Sequence, residues 1–436
     1  MQPSDVKTEQ KIDSENFNDS WLEKLGPGLI TGAADDDPSG IATYSQAGAQ
    51  FGFHMLWTLL FTYPLMVGIQ VVSARIGRVT GHGLATNIRK FYPRWLLYFI
   101  VSLLLFANTV NIAADVSAMG SALSLLINGP AQLYAVGFGI VSLILQLFIP
   151  YSRYVRVLKW LTLSLMAYVA TVFAVQIPWK DVFYQTIFPK FSTDAAFITM
   201  MVGVFGTTIS PYLFFWQASQ EVEDKNLNLQ SAARQKSTSE IKKNLRRIKI
   251  DTYIGMGFSN LVAYFIILTA AVTLHRQGIV DIQTSADAAK ALRPLAGDFA
   301  FFLFSAGIIG TGLLAIPVLA GSSAYAIAEA FDWKNRSLEM HPKMAMRFYG
   351  IIIFSTVVGV GLGFLNIDPI KALYLSAVIN GVIAVPIMGV MLLMAARSEI
   401  MGEWVIRKKL KTLGWLTVIV MSLAVVSMFV TSVHSK

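Results

Sequence analysis

The sequence predicts an all-α membrane protein in which two of the helices are broken. Its 436 residues are 55% hydrophobic and only 14% charged, which leaves too few charged side chains to cover a soluble protein of this size. Eleven apolar segments approach the roughly 17–25 residues that cross the hydrocarbon core of a bilayer. The first and the sixth of them contain a proline flanked by small or polar residues, so neither is expected to be a continuous helix.

The eleven segments follow one another along almost the whole chain. They centre on residues 28–50, 55–75, 96–127, 132–150, 157–177, 194–219, 251–274, 299–329, 346–365, 370–396 and 413–433. The third and the eighth are long enough to tilt in the bilayer or to extend beyond it.

Basic residues predict the topology, because cytoplasmic loops of membrane proteins carry an excess of lysine and arginine. With a cytoplasmic N-terminus, 28 of the 35 lysines and arginines lie on the cytoplasmic side. We therefore expect a multi-pass protein of the cell membrane with its C-terminus outside. Residues 1–20 are polar and lack the apolar stretch of a signal peptide, so we expect a disordered cytosolic arm there and a transmembrane domain at 21–436.

Several function classes find no support in the sequence. Cysteine is absent, which excludes a thiol nucleophile and a cysteine-ligated zinc site. No glycine loop of the Gly-x4-Gly-Lys-Ser/Thr type occurs, so ATP-driven transport by this chain is not expected. The basic clusters lie between apolar segments and follow membrane topology rather than nucleic-acid binding. We expect no enzyme activity, no bound cofactor and no obligate protein partner, with the lipid bilayer as the surrounding partner.

The two interruptions indicate what the protein handles. The stretch TGAADDDPSGIATY, residues 31–44, interrupts the first segment, and GTTISPYLFF, residues 206–215, interrupts the sixth. Proline lacks a backbone N–H, so carbonyl oxygens ahead of Pro38 and Pro211 are freed from the helical hydrogen bonds. Paired broken helices are typical of transporters with inverted repeats and a binding site near the membrane midplane. Freed carbonyls beside carboxylates favour a cation as the substrate.

Three consecutive aspartates precede Pro38. An ionised carboxylate inside a bilayer costs several kcal/mol unless it is paired or hydrated, so Asp35, Asp36 and Asp37 indicate a function. On a regular helix they would point in directions about 100° apart and could not all face one ion. Asp37, next to the interruption, is the predicted ligand. Asp35 and Asp36 are candidates for shaping the ion path or for facing water, a basic residue or a neighbouring helix.

Three stretches carry a family resemblance. They are LGPGLITGAADDDPSGIATYSQAGAQFG, LWTLLFTYPLMVGIQVVSARIGRVTG and FGTTISPYLFFWQAS. They resemble the Nramp divalent-metal transporters, which have an Asp-Pro-Gly-Asn motif in the first helix, Arg-(Ile/Leu)-Gly-x-(Val/Ala)-Thr-Gly at the end of the second, and Met-Pro-His-Asn in the sixth. The resemblance implies a LeuT-type fold of two inverted five-helix repeats, at about 21–178 and 190–397, plus an eleventh helix at about 412–434.

The resemblance also implies a metal site, residue by residue. Asp37 matches the family's metal-binding aspartate, and Ala34 matches a position whose backbone carbonyl faces the ion. Thr207 matches a sixth-helix position that supplies a second carbonyl. The family has an amide site residue in the tenth helix, and Asn380 is the candidate here, although its spacing to Pro386 differs from the family's pattern.

Three ligand positions depart from the family. The asparagine of the first helix is Gly40 here, the methionine of the sixth is Ser210, and the histidine after the proline is Tyr212. The five histidines of this chain lie in predicted loops or at predicted helix ends, so none is expected to relay protons at mid-membrane.

These departures predict a preference for hard cations. A thioether favours metals of intermediate softness and offers nothing to Mg²⁺. Mg²⁺ usually keeps several waters and binds through one or two carboxylates, so a roomier, oxygen-only site around Asp37 suits partly hydrated Mg²⁺, with Mn²⁺ as a co-substrate. This is similar to the Nramp-related magnesium transporter branch. We expect a secondary-type importer that works by alternating access without tight proton coupling.

Other polar residues lie inside the third segment. In FANTVNIAADVSAMG, the positions of Asn108, Asn111 and Asp115 place them on one face of a helix. Asn111 and Asp115, together with Asp36 and Gly40, are expected to shape the ion pathway. Hydrogen bonding between helices is the alternative for the asparagines.

Two other functions stay open from the sequence. One is a proton-coupled Mn²⁺/Fe²⁺ importer, which Ser210 and Gly40 argue against. The other is a LeuT-type carrier of amino acids or other organic substrates, whose site would hold a substrate carboxylate with helix amides. Three aspartates at the interruption would repel such a carboxylate.

Overall fold

A computed structural model describes residues 31–32, 34–149, 161–231, 238–338, 340–365 and 367–434. Helices dominate these ranges, and no strand occurs within them, as the all-α prediction requires. The arm predicted at residues 1–20 lies outside the described residues.

The α-helices are numbered in chain order over the described ranges. They are α1 (Pro38–Phe51), α2 (Leu56–Thr80), α3 (Leu84–Phe91), α4 (Arg94–Ile127), α5 (Ala131–Phe148), α6 (Met166–Ala174), α7 (Trp179–Ile187), α8 (Ala195–Thr208), α9 (Pro211–Ser231), α10 (Thr238–Thr273), α11 (Ser285–Ala289), α12 (Arg293–Ala296), α13 (Ala300–Ala330), α14 (Met346–Leu362), α15 (Pro369–Ala395), α16 (Ser398–Met401) and α17 (Lys408–His434).

The eleven predicted segments each correspond to helical structure. Eight stretches in the described ranges are long and apolar enough to cross a membrane, and one of them, Pro38–Thr80, contains the second segment and the part of the first that follows the first break. The fifth and ninth segments correspond to the shorter apolar helices Leu163–Ala174 and Met346–Leu362. Residues 150–160, where the fourth segment was expected to end and the fifth to begin, lie outside the described ranges.

Both predicted interruptions are present. Helical geometry reaches Asp35 and then stops; Asp37 is extended, with φ −76° and ψ 169°, and α1 starts at Pro38. We call Asp36–Asp37 the first break. In the sixth segment α8 ends at Thr208 and α9 starts at Pro211, and we call the intervening residues 209–210 the second break. Each new helix begins with proline. This position suits proline because a backbone N–H in the first turn of a helix would have no hydrogen-bond partner within the helix.

The broken helices lie at the centre of the bundle. α1 packs against α10 and α15, α8 packs against α15, and α9 packs against α2. Small residues permit this proximity, since a Cβ added at Gly206 would lie 2.0 Å from the carbonyl oxygen of Ala377. In the most apolar stretch of Ala195–Lys225 almost all residues are buried inside the protein. In the corresponding stretches of α5 and α17 most residues are not buried. The chain therefore surrounds its two breaks with other helices.

Candidate metal site

Asp37 starts α1 and faces the second break. Its Oδ1 accepts hydrogen bonds from the backbone N–H of Gly40 at 2.8 Å and from the hydroxyl of Ser39 at 2.6 Å. This is an N-cap, in which a side-chain oxygen satisfies an amide that the helix leaves free, and the positive end of the helix dipole favours the carboxylate. The side chain is buried. Oδ1 is thus held by the first turn of α1, whereas Oδ2 makes neither of these hydrogen bonds.

Tyr212 joins the two breaks. It lies in the first turn of α9, is fully buried, and places its hydroxyl 3.1 Å from the carbonyl oxygen of Ala34 and 3.4 Å from Oδ2 of Asp37. The two predicted ligands of the first helix therefore meet the same phenolic oxygen. In the sequence, Tyr212 was notable only because it replaces the family's histidine. In the structure, its hydroxyl connects the two broken helices.

The predicted ligands of the second break are already hydrogen bonded. Ser210 Oγ lies 2.8 Å from the carbonyl oxygen of Thr207 and 3.0 Å from that of Gly206, so its single proton goes to the closer oxygen, that of Thr207, or is shared between the two. A carbonyl oxygen has two lone pairs, so Thr207 retains one for a further partner. Ser210 thus acts on the Thr207 carbonyl and fixes the end of α8.

The space at Gly40 is smaller than its missing side chain suggests. A Cβ at this position would lie 3.0 Å from Thr207 Oγ1, 3.2 Å from Tyr44 Cε2 and 3.6 Å from Asp37 Oδ1. The roomier pocket expected from the loss of asparagine is therefore not found at Gly40. The side chains of Thr207 and Tyr44 occupy that volume.

Asp35 and Asp36 contact a different helix from Asp37. Ser259 of α10 places its Oγ 2.7 Å from Asp35 Oδ2 and 3.0 Å from Asp36 Oδ1. A serine hydroxyl donates one hydrogen bond, so it cannot satisfy both carboxylates. Asp35 Oδ1 is buried without a partner among the described residues. The pair has fewer donors than acceptors, a deficit that a cation or a proton would fill.

The three polar residues of α4 have different surroundings. Asn108 donates to the carbonyl oxygen of Leu319 at 2.9 Å and to Ser322 Oγ at 2.8 Å, so it joins α4 to α13. The polar side-chain atoms of Asn111 and Asp115 are buried and have no partner within the described ranges. Buried polar atoms are nearly always satisfied, so this pattern is typical of a place that holds water or an ion.

Asn380 lies near the end of α8. The next residue, Gly381, packs closely against Gly206, because a Cβ added at Gly206 would lie 2.5 Å from the Gly381 backbone nitrogen. Gly206 directly precedes Thr207 in the chain. Both polar atoms of the Asn380 side chain are buried, and neither has a partner in the part of the chain that the structure describes. α15 continues through Pro386 without a break.

A separate ion-pair network lies further along α9. Glu221, which is fully buried, is 2.9 Å from Arg247 of α10 and 3.7 Å from Arg78 of α2. Asp224 is 2.5 Å from Arg78 and 3.2 Å from Arg247. Both carboxylates are therefore paired with arginines of two other helices. They connect three helices.

The central site contains one carboxylate and several neutral oxygens. Among the described residues no group of three or more histidine, cysteine, aspartate or glutamate side chains is placed to hold a metal. At the first break the Asp37 carboxylate and the Ala34 carbonyl share the Tyr212 hydroxyl, and at the second break the Thr207 carbonyl accepts from the Ser210 hydroxyl. Such hard oxygen donors suit hard cations.

Comparison with known proteins places this geometry in context. A divalent metal cation transporter MntH of Caldanaerobacter subterraneus subsp. tengcongensis is 26% identical over 369 residues, which cover 82% of this chain and 81% of that protein. A crystal structure of the Eremococcus coleocola manganese transporter, in complex with an aromatic bis-isothiourea substituted compound, superposes with a TM-score of 0.73 at 18% identity and covers 95% of this chain and 89% of that one.

The fold is shared with a protein whose structure contains an amino acid. The structure of MhsT in complex with L-phenylalanine superposes with a TM-score of 0.56 at 13% identity, covering 94% of this chain and 98% of that one. These likenesses confirm the predicted LeuT-type fold. The model of the family described as "Natural resistance-associated macrophage protein-like" matches residues 28–431. The chain therefore belongs to the Nramp family.

Proposed function

We propose that the protein imports divalent cations through the cell membrane by alternating access around Asp37. The observation that carries this proposal is the contact between the broken helices at Tyr212, whose hydroxyl lies 3.1 Å from the Ala34 carbonyl oxygen and 3.4 Å from Asp37 Oδ2. Carbonyls freed by helix breaks, next to one buried carboxylate, form a cation site in the middle of a bundle. The names of the relatives, divalent metal cation transporter and manganese transporter, support the same class of substrate.

The proposed cation is Mg²⁺, with Mn²⁺ as a co-substrate, as in the Nramp-related magnesium transporter branch. The donors at the breaks are oxygens, and Ser210 stands where the family has a thioether. Mg²⁺ binds oxygen donors and keeps part of its water shell, whereas a thioether would favour softer metals. Asn380, Asn111 and Asp115, whose polar atoms lack partners in the described ranges, are proposed to face that water shell.

The proposed topology sets the direction of transport. With the N-terminus inside and the C-terminus outside, the membrane potential favours entry of a doubly charged cation by about 4.6 kcal/mol per 100 mV. Movement would occur between the repeats proposed at about 21–178 and 190–397, with the helix at about 412–434 outside them. No tight coupling to protons is needed for such a flow.

A proton-coupled Mn²⁺ importer is the second candidate. The relatives named for manganese support it, and so does the pair Asp35 and Asp36, since the single hydroxyl of Ser259 leaves this pair a place for a proton. Imposing a pH gradient across proteoliposomes separates the candidates. Cation uptake that is unchanged by the gradient supports the first candidate, whereas uptake that acidifies the vesicle interior supports the second.

Uptake into proteoliposomes tests the function itself. We expect Mg²⁺ and Mn²⁺ to enter vesicles that contain the protein, and Asp37→Asn to abolish this, because asparagine keeps the N-cap but removes the charge. Asp194→Asn is the matched control, since Asp194 is the exposed N-cap residue of α8. Ser210→Met should shift the preference toward Mn²⁺. Full uptake by Asp37→Asn, or uptake of amino acids in place of cations, would contradict the proposal.

A further inference from the structure

The residues on either side of Pro211 act on the two carbonyls of the candidate site. Ser210 Oγ lies 2.8 Å from the Thr207 carbonyl oxygen, and Tyr212 Oη lies 3.1 Å from that of Ala34. Each predicted carbonyl ligand, one from each broken helix, therefore already accepts a hydrogen bond from a hydroxyl. The tripeptide Ser210-Pro211-Tyr212 therefore supplies both donors.

Tyr212 cannot easily turn away from this position. Its side chain is fully buried, and the first turn of α9 is attached to α2 by two hydrogen bonds. Gln70 Nε2 donates to the Leu213 carbonyl at 3.0 Å, and Ser73 Oγ donates to the Phe214 carbonyl at 2.5 Å. Because the backbone on the C-terminal side of Tyr212 is held, the phenol stays between Ala34 and Asp37.

The contacts of the phenol determine how a cation can approach. A tyrosine hydroxyl has one proton to donate, and its oxygen can accept in return. When the proton goes to Ala34, the Tyr212 oxygen can accept a hydrogen bond from a water, and Asp37 Oδ2, 3.4 Å away, can accept another. A cation that keeps its water shell satisfies both oxygens through its waters. A cation that binds the Ala34 carbonyl directly must use the second lone pair of an oxygen that already accepts the phenol's hydrogen bond, so that oxygen is a weaker ligand.

We propose that Tyr212 determines specificity: its hydroxyl, with that of Ser210, keeps the site carbonyls hydrogen bonded, so the site selects cations that bind through their waters. This inference rests on the proposed function and concerns which cation the Asp37 site prefers. Mg²⁺ loses its waters reluctantly, so it gains most from such a site. Mn²⁺, which accepts direct carboxylate and carbonyl ligands, gains least.

The test compares Mg²⁺ and Mn²⁺ binding to purified full-length protein by titration calorimetry, with uptake measured in parallel. Tyr212→Phe keeps the ring and removes the hydroxyl. We expect the ratio of the Mg²⁺ to the Mn²⁺ dissociation constant to rise at least tenfold, with weaker Mg²⁺ binding and equal or tighter Mn²⁺ binding. Ser210→Ala should shift the ratio in the same direction, and the double variant should shift it further.

Tyr264→Phe is the matched control. It removes a tyrosine hydroxyl that lies 2.9 Å from Thr186 Oγ1, away from the breaks, and should leave the ratio unchanged. An unchanged ratio in folded Tyr212→Phe would overturn the inference, and so would an equal loss of affinity for both ions, which indicates a packing role. If Tyr212→Phe does not fold, the ratio in Ser210→Ala decides. Failure of the wild-type protein to bind either cation would instead overturn the proposed function.

Discussion

Ser259 of α10 holds Asp35, the last helical residue ahead of the first break, with Oγ 2.7 Å from Oδ2. The same hydroxyl lies 3.0 Å from Asp36, so one small side chain serves two buried carboxyl groups. We expect Ser259→Ala to lower the free energy of unfolding by about 1–3 kcal/mol, because carboxyl oxygens lose their donor in a buried place.

Thermal unfolding in detergent measures this effect. Ser305→Ala is the control, since Ser305 Oγ is also buried but has one neutral partner, the carbonyl oxygen of Ala122 at 2.8 Å. The Ser259 variant should unfold at a clearly lower temperature than the Ser305 variant. Equal unfolding temperatures would mean that Ser259 contributes no more than an ordinary hydrogen bond between helices.

Asn108 and Asn111, one turn apart on α4, should respond in opposite ways to the same substitution. Asn108→Leu breaks hydrogen bonds to Leu319 and Ser322 and should destabilise the protein by about 1–3 kcal/mol. Asn111→Leu removes polar atoms without described partners and should be neutral or stabilising. Comparison of the two unfolding temperatures, with cation uptake, checks this. A stable Asn111→Leu protein with full uptake would show that Asn111 faces neither the ion nor its water.

Arg78 should matter more for stability than a surface arginine. Arg78→Ala removes the hydrogen bond to Asp224 and leaves the fully buried Glu221 with Arg247 alone, so it should cost about 1.5–3 kcal/mol, the loss of a hydrogen bond between charged groups. Arg89→Ala is the control. Its partner Asp332 is largely exposed. The hydrogen bond from Arg89 lowers the pKa of the Asp332 carboxyl, but an ion pair in contact with solvent contributes little to the stability of the fold. Equal thermal stability of the two variants would refute this ranking.

Gly40→Asn should not simply restore the family's amide ligand. A Cβ there lies 3.0 Å from Thr207 Oγ1 and 3.2 Å from the Tyr44 ring, so the side chain must displace one of them. We expect a loss of about 1–3 kcal/mol from overpacking, partly recovered in the double variant with Thr207→Ala. The unfolding free energies of the two single variants and the double variant give the coupling. Additive effects would mean that Thr207 does not limit the space at Gly40.

The sequence predicted the all-α class and both breaks because proline acts locally. Pro38 and Pro211 each fix a helix start wherever the surrounding bundle places them. Asp37 was the expected ligand because it precedes the first of these prolines, and the structure places it at the junction of the breaks. These conclusions needed no knowledge of which helices pack together.

The remaining contacts of the site join residues that are far apart in the chain. Tyr212 meets Ala34 across 178 positions, and Ser259 meets Asp35 across 224. No periodicity or spacing encodes such pairs; only the packing of α9 and α10 around the first break produces them. The position of Tyr44 near the site could have been inferred from the sequence, since it lies two turns after Asp37 on the same face of α1.

The N-cap of α1 would give a cation bound at Asp37, as proposed, a mechanical connection to that helix. The carboxylate that faces the second break with one oxygen fastens the first turn of α1 with the other, through Gly40 and Ser39. A shift of this carboxylate toward or away from an ion therefore pulls on the start of α1. Binding of the proposed cation and the inclination of α1 would then depend on the same side chain, and an apolar residue at position 37 would disconnect them.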